Sequence, residues 1–206
     1  MNRIYFSFNL YAVGFMKFIL TFIFLTLPIL AKSNLPISFE ENNLYGFKNK
    51  SGKVMIKPQY QHAMDFTKEE IAFVVKDNRW VCINTKNLVL LEVFVYDNGP
   101  DYYSENLARF VENKKFGFFD SRCNKQISAA YDFVYPFENG TSIVCNGCES
   151  QLEEEHSRII GGKYGVINKK GKILIPVAYD AIDSVDAKKK TATVVSNKNK
   201  TKINFK

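Results

Sequence analysis

Apolar positions along this chain fall in short runs, broken at close intervals by glycine, asparagine and charged residues, and one phrase recurs. It is an aromatic residue, a glycine, two apolar positions, a turn, and then an apolar run closed by Pro or Tyr. The phrase reads Tyr45-Gly46-Phe47, Phe116-Gly117-Phe118-Phe119-Asp120 and Tyr164-Gly165-Val166-Ile167-Asn168, with a degenerate copy at Trp80-Val81-Cys82-Ile83-Asn84. The glycine position falls at 46, 81, 117 and 165, so the intervals are 35, 36 and 48; an eroded fifth copy follows at Lys200-Thr201-Lys202-Ile203-Asn204. A fixed period of this size is the mark of a repeat architecture, in which each unit buries its apolar face on its neighbours.

The runs are short, β-branched and aromatic, and no window carries a helical period, which predicts strands. Six places after the glycine stand Gly52, Asn87, Cys123 and Gly171. Gly and Asn tolerate a positive φ, so a tight turn between paired strands is expected there. After the turn come Val54–Tyr60, Gln126–Asp132 and Ile173–Asp180, and each unit is expected to close on a further apolar stretch: Ile71–Val75, Leu107–Val111, Ser142–Val144 and Ala192–Val195. The prediction is an all-β chain of tandem repeats of short antiparallel strands, stacked as a solenoid or an open propeller-like arc. The aromatic–glycine positions (Tyr45, Gly46, Trp80, Phe116, Gly117, Tyr164 and Gly165) are expected to form a buried spine, with glycine making room for a ring or backbone of the next unit. An exposed ladder that stacks on sugar rings is the rival reading, and a single Trp in the chain weighs against it.

These residues resemble the WG-repeat family of bacteria, whose unit runs from a Trp-Gly pair through a Gly-Lys turn to a Pro-x-Tyr step. The match is strongest over Tyr45–Tyr60 and Tyr164–Asp180, weaker over Phe116–Asp132 and weakest over Trp80–Asp101. The resemblance implies an architecture of β-repeats; it implies no shared reaction and transfers no catalytic residue.

The N-terminal segment reads differently. Met16-Lys17 precedes the apolar run Phe18–Leu27, then Pro28 and a small residue, Ala31. That order is expected of a signal peptide cleaved near Ala31, with translation starting at Met16, since the run is short for a membrane span of about 20 residues. Residues 32–43 then read as a linker and 44–206 as the repeat domain, with no membrane span once the signal is removed. An uncleaved anchor is the rival.

Charge alters little after this. Of 28 basic residues, Arg3 and Lys17 lie before residue 32, leaving 26 against 21 acids. Seven of the 26 lie in residues 186–206 beside Asp186 alone, so residues 32–185 hold 19 basic and 20 acidic. A neutral body excludes the electrostatic footprint of a nucleic-acid binder. The lysines of the last unit are expected to keep an exposed strand edge soluble; attachment of this tail to an anionic polymer is the rival.

Candidate chemistry gathers in the long interval, where about a dozen residues are added, at 145–162, and a surface loop is expected. Cys145-Asn146-Gly147-Cys148 opens it, and in an exported chain a local disulfide is the expected state. Cys82 aligns with Phe47, Phe118 and Val166, and is expected to be a small core residue. A redox site at Cys145 and Cys148 lacks the helix N-terminus that would activate a thiol, and a metal site there would need His156 and an acid of Glu153, Glu154 and Glu155. Loops added to rigid scaffolds carry recognition, so Glu153–His156 form the candidate binding loop. No phosphate loop, nucleophile elbow or paired-histidine motif is found; Asp101 with Glu105 could be named as an acid pair, as any two acids could, and a polar loop before the strand Leu107–Val111 is the expected reading. The expected function is an exported, non-enzymatic binding or scaffold module, without cofactor, for a protein or cell-envelope component. A redox or metal-handling accessory comes second, and an envelope hydrolase last.

Overall fold

The structure, a computed structural model, describes residues 35–153 and 156–206. The expected signal segment and the tip residues Glu154 and Glu155 lie outside the described residues. Ser33–Lys206 form one compact unit, and every described element is a strand joined to its neighbours in antiparallel ladders.

The first unit is β1 (Ile37–Glu41), β2 (Leu44–Lys48) and β3 (Val54–Tyr60), so part of the expected linker is a strand paired with β2. Next come β4 (His62–Ala63), β5 (Ile71–Lys76), β6 (Arg79–Asn84) and β7 (Val89–Val93), then a two-stranded ribbon of β8 (Val95–Tyr96) and β9 (Gly99–Pro100). The third unit is β10 (Ala108–Glu112), β11 (Lys115–Phe119) and β12 (Lys125–Tyr131). The fourth is β13 (Phe133–Val134), β14 (Thr141–Glu153), β15 (His156–Asn168) and β16 (Ile173–Tyr179), and the fifth β17 (Ala181–Asp186), β18 (Thr191–Ser196) and β19 (Asn199–Asn204). The aromatic–glycine strand of every unit pairs with the strand before it: Phe39↔Gly46, Val74↔Val81, Phe110↔Gly117, Val144↔Gly165 and Val194↔Thr201. The apolar stretches expected to close each unit therefore open the next one, because a two-residue turn joins them directly to the following glycine strand. Those turns are Asn42-Asn43, Asp77-Asn78, Asn113-Lys114 and Asn197-Lys198, each with both φ values positive, as the twist of paired strands requires.

Alternation along the glycine strand stacks the units. The residue after the glycine position packs forward and the second one packs back, since successive side chains leave opposite faces. Cys82, Phe118 and Val166 enter the clusters shared with the next unit, while Ile83, Phe119 and Ile167 enter those shared with the preceding unit. The first unit has Lys48 on its backward face and the fifth has Lys202 on its forward face. Lysine at these two places gives the outermost faces a polar surface, as terminal repeats need.

The glycine itself is explained by its own unit, which corrects the expectation that the next unit approaches it. Tyr45 pairs with Tyr60 and Phe47 with Ile56, so Lys57–Gln59 bulge across Gly46; β11–β12 and β15–β16 repeat the same shift. A Cβ on Gly46 would lie 2.6 Å from the Ile56 oxygen, and one on Gly165 would lie 2.6 Å from that of Ile175. In the second unit Val81↔Glu92 and Cys82↔Leu91 run in step and the shift falls only beyond them, between Cys82 and Ile83, so no bulge crosses Val81 and valine is accepted there. Without the bulge at the glycine position, β7 goes straight on to pair β10, fusing two units into one sheet of order β12-β11-β10-β7-β6-β5-β4. The β8–β9 ribbon makes up the lost length, so the interval stays at 36.

The buried spine is also corrected. Of the four aromatic positions before the glycine only Tyr164 is buried, whereas Tyr45, Trp80 and Phe116 are half-buried; Phe47 and Phe118, one place after the glycine, are fully buried. Tyr45 and Trp80 meet through His62, while Phe116 lies between Phe94 and Phe133, all in edge-to-face contacts.

Candidate binding site

The six-after-glycine turn has one construction in four units. Asn49, Asn84, Asp120 and Asn168 each accept two backbone N–H bonds with one side-chain oxygen, from the residues two and four places on. Partial burial pushes the Asp120 carboxyl up, but the N–H groups of Asn124 and Arg122 and the Asn124 and Gln126 amides outweigh it and hold it low. Gly52, Asn87, Cys123 and Gly171 all take the expected positive φ. Each turn from the second unit on reaches back to its predecessor: Asn87 accepts the Tyr60 hydroxyl, Gly171 packs on Ile127, and Cys123 is bonded to Cys82. The expectation that Cys82 is only a core residue is thus corrected: it is buried, and it is half of a disulfide between two units.

The added residues 145–162 are a hairpin extension rather than a surface loop. Asn146↔Lys163 occupies the place of Ser196↔Asn199, where the two-residue turn would follow, and the ladder instead continues from Cys148↔Gly161 to Glu153↔His156. At the foot, Gly147, Gly161 and Gly162 all have positive φ. A Cβ on Gly162 would lie 2.5 Å from the Cys148 nitrogen, so glycine alone fits. The local bend brings Cys145 and Cys148, three residues apart and otherwise on opposite faces, into a disulfide. The Gly147 N–H donates to the Asp132 carboxylate at 2.7 Å, and Lys115 contributes at 2.6 Å. Those two bonds hold the Asp132 carboxyl below its ordinary range. Of the expected binding loop, Glu153 and His156 form the last ladder pair.

A cleft of about 700 Å³ lies beneath this hairpin, between it and the β8–β9 ribbon. Its floor includes Arg109, buried in an ion pair with Asp101 at a position that is apolar in the second and fourth units and a small hydroxyl residue, Ser38 or Thr193, in the first and fifth. Arg109 follows Ala108 in β10 at the register place of Phe73 and Ile143. Asp101 accepts from the Arg109 backbone N–H at 3.0 Å, from Nε at 2.8 Å and from Nη2 at 2.7 Å, while Nη1 donates to the Val134 carbonyl. Both residues are under 5% exposed, at 4% and 3%. The guanidinium lies 4.6 Å from the Phe94 ring centre, 5.8 Å from Phe133 and 5.9 Å from Tyr96. A buried charge is tolerable only with this degree of pairing, and the three bonds fasten the end of the ribbon to the sheet.

The walls are rings. Tyr96 is 55% exposed, Tyr102 50% and Tyr135 37%, and Cys148 with Glu149, Ser157 and Arg158 of the hairpin closes the far side. Burial pushes the Tyr135 phenol up, so it remains an O–H donor at neutral pH. The acid pair named from sequence is not assembled: Asp101 holds Arg109, while Glu105 accepts the Gly140 N–H at 3.1 Å and lies 3.6 Å from Lys169. The sulfurs of Cys145 and Cys148 are joined to each other, which leaves no thiolate for a metal in this state. Among the described residues no three His, Cys, Asp or Glu side chains converge as a metal site.

Sequence reading missed this cleft because its rings come from the least regular part of the chain. One signal was present: Arg109 interrupts an otherwise apolar run, Leu107–Val111, shortly after Asp101. No helix among the described residues is long and apolar enough to cross a membrane. Among curated proteins, none matches this chain. The WG containing repeat matches three times, at residues 45–80, 117–147 and 164–198, taking in the glycines and the following turns of the first, third and fourth units. The chain belongs to the WG containing repeat family.

Proposed function

We propose that this chain is exported, cleaved near Ala31, and works in the periplasm or outside the cell as a non-enzymatic binding module whose recognition surface is the cleft over Arg109. The observation that carries this reading is the set of exposed rings, Tyr96, Tyr102 and Tyr135, held over a fully paired buried ion pair. Exposed aromatic side chains are costly to leave in water and are common anchors of recognition. Here they stand on supports that do not need to move: a guanidinium that donates three hydrogen bonds and a disulfide-pinned hairpin. Two disulfides are what an oxidising compartment allows and reducing cytosol resists.

The redox or metal accessory is the weaker reading. Cys145 is fully buried and Cys148 is 9% exposed, so the sulfurs are poorly placed for exchange with a partner.

Two measurements test the proposal. Intact mass of protein recovered from an envelope fraction should start at Lys32, with all four thiols blocked until reduction; a full-length mass with free thiols rejects export. Immobilised protein should retain an envelope component that Tyr96→Ser with Tyr102→Ser loses. Met55→Ser, equally exposed on β3 and outside the cleft, should keep it. Equal retention by both variants rejects the cleft as the recognition surface.

A further inference from the structure

Resting on that reading of the cleft, we infer that its occupant is an extended, proline-containing, basic peptide segment. Shape is the first argument. Two further depressions, of about 590 and 650 Å³, adjoin the cleft, and Tyr135 borders all three. Tyr102 and Pro136 are shared by the first and second, and Ile159 by the first and third. The surface is thus one branched trough, running from Tyr96 on the ribbon past Tyr135 to Asp183–Val185 on β17. A trough with successive hollows suits a linear chain better than a compact molecule.

The ring geometry then selects among linear chains. Tyr96 and Tyr102 meet at 74° with centres 5.5 Å apart, and Phe133 and Tyr135 at 83° with centres 5.2 Å apart. Neighbours set nearly perpendicular in this way share no flat platform. A pyranose ring needs a flat face to lie on, whereas a polyproline II helix packs its ridges against a surface of rings set at angles to one another. Such a chain has no internal hydrogen bonds, so its carbonyls need donors, and the tyrosine hydroxyls supply them. The chain is also stiff before binding, which lowers the entropy lost on docking.

Charge selects the sequence of the occupant. Asp101 is matched by Arg109, Asp132 by Lys115, and Asp183 by Lys200. Glu149 in the first hollow and Glu138 in the second are exposed and have no ion-pair partner among the described residues. Arg158, which borders the first and third hollows and has a partner of its own, is the one further cation among the described lining residues, so with Glu138 and Glu149 counted the charge left over along the trough is still negative. Lysine or arginine flanking the prolines would meet these carboxylates and the faces of the tyrosines.

The test uses the disulfide-bonded protein and fluorescein-labelled repeat peptides, with binding read by anisotropy. Lys-Pro-Pro repeats should bind, with Glu-Pro-Pro and Lys-Gly-Gly repeats of equal length binding far more weakly, and added salt should weaken the complex. Tyr102→Ser should reduce affinity at least about tenfold, as for an aromatic anchor. Glu138→Gln with Glu149→Gln should reduce it about fivefold at low salt and abolish the discrimination against Glu-Pro-Pro. All three side chains are exposed, and unchanged urea midpoints would show the variants folded. Absence of Lys-Pro-Pro binding, equal binding of Glu-Pro-Pro, or preference for an N-acetylglucosamine oligomer competing at the same tyrosines overturns the inference. If envelope retention still depends on Tyr96 and Tyr102, the binding-module reading survives that failure; if it does not, both fall.

Discussion

At Gly46, Gly117 and Gly165 a single hydrogen in place of a side chain lets the partner strand bulge across its neighbour, and Val81 shows what happens when the bulge is missing. Gly165→Ala would put a methyl 2.6 Å from the Ile175 oxygen and 2.8 Å from the Val177 nitrogen, both backbone atoms that cannot rotate away. We expect a loss of about 1–3 kcal/mol in urea unfolding, as for overpacked interiors. Gly99→Ala, with nothing within 4 Å, should stay within about 0.5 kcal/mol. The glycine was legible as a repeat mark, but its cause was not, because the bulge is a property of the strand opposite. Asp101 and Arg109 teach the same lesson. They stood in the sequence as an acid in a loop and a base in a strand, and only the fold of the ribbon brings them together. Asp101→Ala strands the Arg109 charge in a buried site and should cost about 3–5 kcal/mol. Asp101→Asn with Arg109→Met keeps an acceptor for the backbone N–H and removes the charge, so its urea midpoint should lie well above that of Asp101→Ala.

Among the elements, turns were the most legible, since the asparagines and glycines at fixed offsets state their φ. The long interval was read correctly as an addition and incorrectly as a loop: residues 148–161 look irregular by composition, yet they continue the ladder of β14 and β15. Charged and polar residues suit those strands, where Ser150, Gln151, Ser157 and Arg158 are exposed. The foot of the hairpin is held by Asp132 and the equivalent turn of the fifth unit by Asp180, each accepting one turn N–H and one lysine. The Lys115 and Lys163 ammonium groups, with the Gly147 and Asn197 N–H groups, keep both carboxyls below their ordinary value of 3.8. A depressed folded pKa contributes stability above the unfolded value and loses it as pH falls through the folded one. The urea midpoint should therefore hold from neutral pH down to about 4 and drop below it. Asp132→Asn should lower the midpoint at pH 7 and flatten the acid limb, and an unchanged slope would refute this role.

Over the whole molecule, stability comes from contacts between neighbouring units, since each core cluster draws on two of them. The period and the all-β class could be read from the sequence because every unit states them again. The pairing of Cys82 with Cys123 could not, because it depends on a turn reaching back across a unit boundary. That contact is general here: Asn87 on Tyr60 and Gly171 on Ile127 are made at the same register. The disulfide is thus a covalent version of a contact that other boundaries make with polar or apolar groups. It closes a loop of 41 residues, and loop-closure entropy assigns it about 4 kcal/mol, against less than about 2 kcal/mol for Cys145–Cys148 with a separation of 3. Cys82→Ala with Cys123→Ala should accordingly lower the unfolding free energy much more than Cys145→Ala with Cys148→Ala. The second pair should act locally instead, speeding amide exchange at the hairpin foot around Gly147 and Gly162. If the two double variants lose the same stability, the boundary between the second and third units is not the one the chain depends on. The fused sheet from β4 to β12 would then carry that junction through its β7–β10 ladder alone.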